Sequence, residues 1–449
     1  MKPRGAGRRD VGRVARVTVL DELDWRGFLA ETTDRDALSE HLASPIRFYI
    51  GFDPTAPSLH MGNLVQLMLA RRLQAAGHHP YLLVGGSTGL IGDPKQTAER
   101  VLNPKEVVAS WVERIRAQVS RFVSFDGTNG ATLVNNYDWT AGLSTLDFLR
   151  DIGKHFSVNR MLARDVVRTR LESGISYTEF SYVLLQSLDF RELYLRHGVT
   201  LQHGGSDQWG NITAGIELIR RAEGGKAYGI GTPLLTKADG TKFGKTESGT
   251  VWLDPGMTSP YAFHQFFLNA EDAMVGQYLR IFSERSREEL DDLDRQTTES
   301  PHLRAAQRAL ADDVTDLVHS PSERADAARA AAALFGRGDL RDLPAATLAA
   351  VVREVGGATL PLDHLTVADA LAAAGVVPSK SAARRAIAEG GAYVNNQKVD
   401  DPDALLVAAD LLPGGHVIVR RGKRTVGAVT VERAPASSDA PRTAGDTPE

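Results

Sequence analysis

RFYIGFDPTAPSLHMGNLVQLMLARRLQAAGHHPYLLVGG, Arg47–Gly86, decides the fold, because two short apolar runs flank a longer stretch with helical spacing. Strand, helix and strand in that order make a βα unit, and the alternation continues to about residue 230. An α/β protein with a parallel sheet is predicted. Ligands of such sheets sit beyond the carboxyl ends of the strands, so chemistry is expected at strand ends and helix starts.

Outward from this core, strand signals fade after Ser259, and polar sequence such as LRAAQRALADDVTDLVHS repeats apolar residues at three- and four-residue spacing. A helical region is expected over 251–338. Proline and glycine punctuate 339–364, which reads as a linker, and a small α+β module is expected over 365–432. The basic, Gly-rich residues 1–17 and the Pro-, Ser- and Thr-rich residues 433–449 read as disordered ends. With 449 residues, several domains are expected. No run of about 18 uncharged apolar residues occurs, which predicts a soluble protein with no membrane partner. The absence of cysteine excludes disulfides and thiolate metal sites and fits a cytoplasmic location. A net charge of −4 provides no global attraction to nucleic acid, so any RNA contact must come from local basic patches.

Five segments carry candidate chemistry. In YIGFDPTAPSLHMGN, Tyr49–Asn63, a strand ends in a turn and a helix begins near Ser58; the N–H groups of a helix start suit phosphates, Gly62 permits close approach, and His60 and Asn63 add donors. A capped helix with a core histidine explains the same residues. In LLVGGSTGLIGDP the glycine cluster allows a ligand near the backbone, with Asp93 placed for an ammonium group; a tight βα connection is the plain alternative. Tyr182, Gln186 and Asp189 recur at i, i+4 and i+7 and so line one helical face. Buried polar groups need partners, and a small polar ligand would supply them; a solvated face would need none. In LQHGGSDQWGNI, Asp207 follows a Gly-Gly turn, where it suits ribose hydroxyls or a helix cap. The loop LLTKADGTKFGKTESG holds Lys237, Lys242 and Lys245, a pattern of mobile phosphate-binding loops and of ordinary solvated surface alike.

In this order the segments resemble the tyrosine-specific branch of the class I aminoacyl-tRNA synthetases. His60-Met61-Gly62-Asn63 stands where that family has its HIGH motif, and Lys242-Phe243-Gly244-Lys245-Thr246 resembles its KMSKS motif. The resemblance implies a Rossmann-like catalytic domain over 18–236, the mobile lysine loop at 237–250, a helical anticodon-binding domain over 251–338 and an RNA-binding domain over 365–432. It implies that Tyr49 and Asp189 bind the phenol of L-tyrosine, that Asp93, Tyr182 and Gln186 bind its ammonium group, and that Gln208 lies near its carboxylate. Gly51 and Asp53 would border the ATP cleft, Gly205 and Asp207 would meet the ribose, and Thr55, His60, Asn63, Lys242, Lys245 and Thr246 would stabilise the phosphates. Magnesium would arrive on ATP, with no dedicated protein metal site. The partners so implied are tyrosine, ATP, the tyrosine tRNA and a second copy of the chain, with residues 147–166 a plausible part of that homodimer surface.

Two departures from the family pattern stand out. Asn63 replaces the last histidine of the HIGH motif, keeping a donor without a charge. The run KQTAER after Pro94 differs from the family's usual sequence, so Lys95 receives no role and Arg100 is a weaker phosphate-side candidate. The last module resembles a small RNA-binding domain found in a ribosomal protein and in pseudouridine synthases. Lys380, Arg384 and Arg385 on or near one helix, and Arg420, Arg421, Lys423 and Arg424 after it, are its expected phosphate contacts, with an ordinary exposed basic surface the plain alternative. Two other readings stay open: a tryptophan-specific relative, against which Tyr49 and Asp189 speak, and an RNA-binding protein that has lost catalysis, against which His60, Asp207, Lys242 and Lys245 speak.

Overall fold

The computed structural model describes residues 17–94, 102–246, 249–422 and 425–432. Residues 1–16, the tail from 433, and Lys95, Arg100, Lys423 and Arg424 lie outside the described residues, as does the side chain of Thr246.

The chain divides into two compact units that do not follow chain order, one of residues up to Asp254 with Glu271–Glu299, the other of Pro255–Ala270 with the residues from Ser300 on. The first holds a six-stranded sheet of β1 (Glu31–Thr32), β2 (Arg47–Phe52), β3 (His79–Val84), β4 (Thr132–Asn135), β5 (Val199–Gly205) and β6 (Tyr228–Thr232), in the order β1-β6-β5-β2-β3-β4. All neighbours pair in parallel except the edge strand β1. Strand β2 is apolar on both faces, with Phe48, Tyr49, Ile50 and Phe52 buried, as a strand covered by helices on both sides requires. From β2 the chain runs outward to β3 and β4, then returns to β5 and β6 on the other side. The order therefore reverses between β2 and β5, and a crevice opens at their carboxyl ends.

Helices Asp272–Phe282 and Arg287–Glu299 belong to this unit, although sequence reading groups them with the helical region 251–338. Arg26, only 5% exposed, explains why: it donates to the carbonyls of Arg280, Ser283 and Arg285 at 3.0, 3.1 and 3.0 Å, meeting the acceptors that a helix end leaves open. Glu22 adds an ion pair to Arg287.

In the second unit a five-stranded sheet is buried on both faces. Val417 and Val419 of strand His416–Arg421 pack toward Leu371 and Ile387, whereas Ile418 between them packs toward Leu334, Leu348 and Val351. Residues 339–364, read from sequence as a linker, thus contain helix Ala345–Val355 and strand Gly357–Pro361, and both cover or extend this sheet. Among the described residues no helix is long and apolar enough to cross a membrane.

Candidate active site

Strand β2 delivers Tyr49, Gly51 and Asp53 to one face of the sheet at the mouth of the crevice, by its period of two. Tyr49 is 1% exposed, its ring lies 5.2 Å from that of Phe190, and its hydroxyl has no hydrogen-bond partner. Burial, and then the nearby Asp189 carboxylate, hold its phenol well above the usual range, so it stays protonated. Gln202 stands opposite Tyr49 in the register of β5 and β2, and its buried Oε1 is also unpartnered. So is the Oε1 of Gln186, one turn beyond Tyr182 on helix Tyr177–His197. Buried polar atoms without partners are rare in native proteins, so three of them around one end of the crevice mark a ligand site.

A chain of hydrogen bonds frames it. Tyr182 donates its hydroxyl to Asp53 Oδ2 at 2.6 Å, and Thr88 Oγ1 donates to Asp53 Oδ1 at 2.6 Å. Gly85, before Thr88, must be glycine: a Cβ there would stand 2.2 Å from Thr88 Oγ1 and 2.3 Å from Asp53 Oδ1. Asn136 Nδ2 donates to Thr88 Oγ1 at 2.9 Å and to Asp189 Oδ2 at 3.0 Å, and Trp139 Nε1 donates to Asp189 Oδ1 at 2.9 Å. Burial pushes the Asp189 carboxyl up to about 7; the two N–H donors oppose this, and the Asp53 charge adds to it.

Asp93 anchors a second network. It accepts from Gln208 Nε2 at 2.8 Å and from Asn211 Nδ2 at 3.2 Å, while Arg164 donates to Asn211 Oδ1. Asp207 is exposed at the end of β5, and Gly205 leaves room for it, since a Cβ there would lie 2.5 Å from its Oδ1.

On the phosphate side, His60 caps helix Met61–Ala75. Its Nδ1 accepts from Gly62 N at 3.1 Å, and Asn63 Oδ1 accepts in return from His60 N at 3.1 Å. With Nδ1 an acceptor, the ring proton sits on Nε2 and points outward as a donor. Desolvation, together with the charges of Lys245 and Lys242, lowers the His60 pKa and keeps the ring neutral. The segment just after the lysine loop meets this helix start through backbone: Met61 N donates to Val251 O at 3.3 Å and Leu253 N to Leu59 O at 2.9 Å. Gly244 takes φ +86° and passes so close to Met61 that a Cβ would lie 2.6 Å from the Met61 Cβ. Lys242, Lys245, Thr55 and Gly51 are exposed beside this cleft. Among the described residues no three His, Asp or Glu side chains are grouped to hold a metal.

Tyr182 and Asp53 are hydrogen-bonded, Asp189 lies near both Tyr49 and Tyr182, and Gln186 stands between Tyr182 and Asp189 on the same helix, while His60, Gly62 and Asn63 sit beside the segment that carries the lysines. Sequence reasoning missed Thr88, Asn136, Trp139, Arg164, Gln202 and Asn211. For Gln202 a signal existed, a polar residue within a central strand; the others act through partners distant in sequence, Asn211 also through Gln208 one turn before it. In the second unit the basic residues are unequal. Arg420 is 8% exposed, its guanidinium stacks 4.1 Å above the Tyr393 ring, and its Nη1 donates to Gly422 O. The Arg420 cation is thus engaged within the fold. Lys380, Arg384, Arg385 and Arg421 are all exposed, but Lys380 pairs with Asp369 and Arg384 with Asp403.

Two family models match, one of "tRNA synthetases class I (W and Y)" over residues 41–336, the other of a "Tyrosine--tRNA ligase SYY-like C-terminal domain" over residues 348–427. A tyrosine–tRNA ligase of Cutibacterium acnes is 64% identical over 414 residues, covering 92% of this chain and 99% of its own. One of Streptomyces coelicolor is 58% identical over 417 residues, covering 92% and 99%. A C-terminally truncated mitochondrial tyrosyl-tRNA synthetase of Aspergillus nidulans superposes with a TM-score of 0.65 at 29% identity, covering 71% of this chain and 95% of its own.

Proposed function

This chain belongs to the class I tRNA synthetases of the tryptophan and tyrosine group, and from that premise we propose how its own residues work. It is a tyrosine–tRNA ligase: it activates L-tyrosine with ATP to tyrosyl-adenylate and pyrophosphate, then transfers the tyrosyl group to the 3′ end of tRNA.

In this reading the phenol of the substrate lies between the Tyr49 hydroxyl and the Asp189 carboxylate. Asn136 and Trp139 hold Asp189 so that a lone pair on each oxygen stays directed into the pocket. Phenylalanine would leave the Tyr49 hydroxyl buried and unpaired and would give Asp189 no partner beyond Asn136 and Trp139, which is how a polar pocket rejects an analogue that lacks the hydroxyl. Asp93, Tyr182 and Gln186 take the ammonium group, and Gln208 lies near the carboxylate that attacks the α-phosphorus. Gln202, flanking Tyr49, closes the polar wall. Asp207 and Gly205 receive the ribose, Asp53 fixes Tyr182, and Gly51 leaves space for the nucleotide.

As pyrophosphate departs, negative charge develops beside the helix start at His60 and Gly62, where Thr55, Asn63, Lys242, Lys245 and Thr246 add donors and cations. No side chain acts as nucleophile; positioning and electrostatics lower the barrier. In this reading magnesium enters bound to the ATP phosphates. The helices of the second unit and the exposed Arg385 and Arg421 serve the tRNA. The compartment is the cytoplasm. The working form is a homodimer, a reading supported by the exposed apolar residues Leu146, Val158 and Tyr177, of which Leu146 is 78% and Tyr177 69% exposed.

The observation that carries this reading is the unpartnered Tyr49 hydroxyl beside an oriented, buried Asp189. Exchange of labelled pyrophosphate into ATP, run with tyrosine, tryptophan and phenylalanine side by side, tests it. Exchange with tyrosine alone is expected; equal exchange with phenylalanine would remove the phenol-reading pair from the mechanism.

A further inference from the structure

We infer that Tyr278 is a positioning residue that sets the lysine loop against the His60 helix; the inference rests on the phosphate-side reading of that loop. Residues 235–243 form a hairpin, closed by Phe243 N to Leu235 O at 2.9 Å, by Lys237 N to Thr241 O at 2.8 Å and by a bridge between Thr236 and Lys242. Both arms of its base meet one side chain. The Tyr278 hydroxyl donates to Thr236 O at 2.7 Å on the first arm, and its ring stacks on Phe243 of the second arm, with centroids 4.0 Å apart and planes at 29°. Phe282, one turn further on the same helix, backs Phe243 at 6.4 Å.

Tyr278 is itself 1% exposed on helix Asp272–Phe282, which packs on helix Met61–Ala75. Arg72 of the latter donates to Ser283 O at 2.6 Å, just past the end of the Tyr278 helix, and Arg26 donates to the same carbonyl at 3.1 Å. The element that carries Tyr278 is therefore fastened to the element that His60 caps. Lys242 lies next to Phe243, and Lys245 pairs with Thr250 in the ribbon that continues from it. A loop held only through Gly244 and Met61 could pivot about that contact. Clasping the hairpin base from both arms fixes the tilt and so the place of the two ammonium groups relative to the helix start.

A cation that acts on charge developing in the transition state contributes to kcat and little to ground-state binding. Tyr278→Phe deletes the bond to Thr236 and keeps the stack, so the fold should survive. Its kcat for tyrosine-dependent pyrophosphate exchange is expected to fall about five- to tenfold, the worth of one hydrogen bond, with the KM of tyrosine unchanged. Tyr278→Leu, which also removes the stack, should fall further. A second readout is limited trypsin digestion followed by mass spectrometry, in which cleavage after Lys237, Lys242 or Lys245 should be several-fold faster in both variants. A purely structural residue would change melting temperature and cleavage at many sites without this kcat-specific loss. Lys245→Ala serves as the reference. If it leaves exchange intact, the reading of the loop is wrong; if it abolishes exchange while Tyr278→Phe and Tyr278→Leu retain wild-type kcat and loop cleavage, the role of Tyr278 alone is overturned.

Discussion

Trp139 donates its indole Nε1 proton to Asp189 Oδ1 at 2.9 Å, and Asn136 occupies the other carboxylate oxygen at 3.0 Å. A buried carboxylate held by two neutral N–H donors keeps its direction but not its full solvation, so its remaining lone pairs are strong acceptors for a hydroxyl. In the proposed reading the substrate phenol is matched to that arrangement.

Removing one half of the phenol pair should therefore erode discrimination more than folding. For Tyr49→Phe we expect tyrosine kcat/KM to fall about 10- to 100-fold, as loss of a buried hydrogen bond predicts, while activity with phenylalanine is unchanged or rises. Steady-state exchange with both amino acids checks it; an unaltered tyrosine-to-phenylalanine ratio would count against the pair.

The Asp189 carboxyl, pushed up to about 7 by burial, gives a pH dependence with a defined sign. In the proposed reading the phenol donates its proton, so tyrosine binds the ionised carboxylate, and binding below that pKa must first release a proton. Affinity for tyrosine should rise between about pH 6 and 8 and flatten above. Calorimetry in two buffers of different ionisation heat should detect the proton released at the lower pH. For the empty protein the sign is opposite: the folded state holds a proton that the unfolded state gives up at its ordinary pKa of 3.8, so this group's contribution to stability declines as pH rises from there to about 7.

In the second unit the exposed cations that face no carboxylate among the described residues, Arg385 and Arg421, should matter more than the equally exposed ones that do. Arg385→Glu and Arg421→Glu are expected to weaken tRNA binding and to lower the salt slope by about one per lost phosphate contact. Lys380→Ala and Arg384→Ala, whose cations already face Asp369 and Asp403, should do less. Filter binding over a salt series separates the two classes, and equal effects from all four would refute the distinction.

A buried ion pair supplies a stability prediction. Arg170 and Glu179 lie 3.2 Å apart with side chains 5% and 2% exposed, at the base of the helix that bears Tyr182 and Asp189. Glu179→Ala removes a carboxylate partner from a buried guanidinium, and its expected cost is about 3–5 kcal/mol. Denaturant unfolding of both proteins measures it.

Local pattern alone determined much of this protein. Alternation of apolar runs with helical spacing predicts the parallel sheet, and the i, i+4, i+7 spacing puts Tyr182, Gln186 and Asp189 on one face, because both follow from backbone periods of 2 and 3.6 residues. The His60–Asn63 helix start and the glycine turns are likewise properties of adjacent residues. Tertiary structure decided which groups complete the site. Asn136 and Trp139 reach Asp189 from about fifty residues away, and Tyr182 reaches Asp53 across 129. It also turned Arg420 inward onto Tyr393, built residues 339–364 into a sheet, and gave helix Asp272–Phe282 to the unit of the lysine loop. None of these follows from spacing, because each depends on which surfaces the packed elements bring within hydrogen-bond or van der Waals reach.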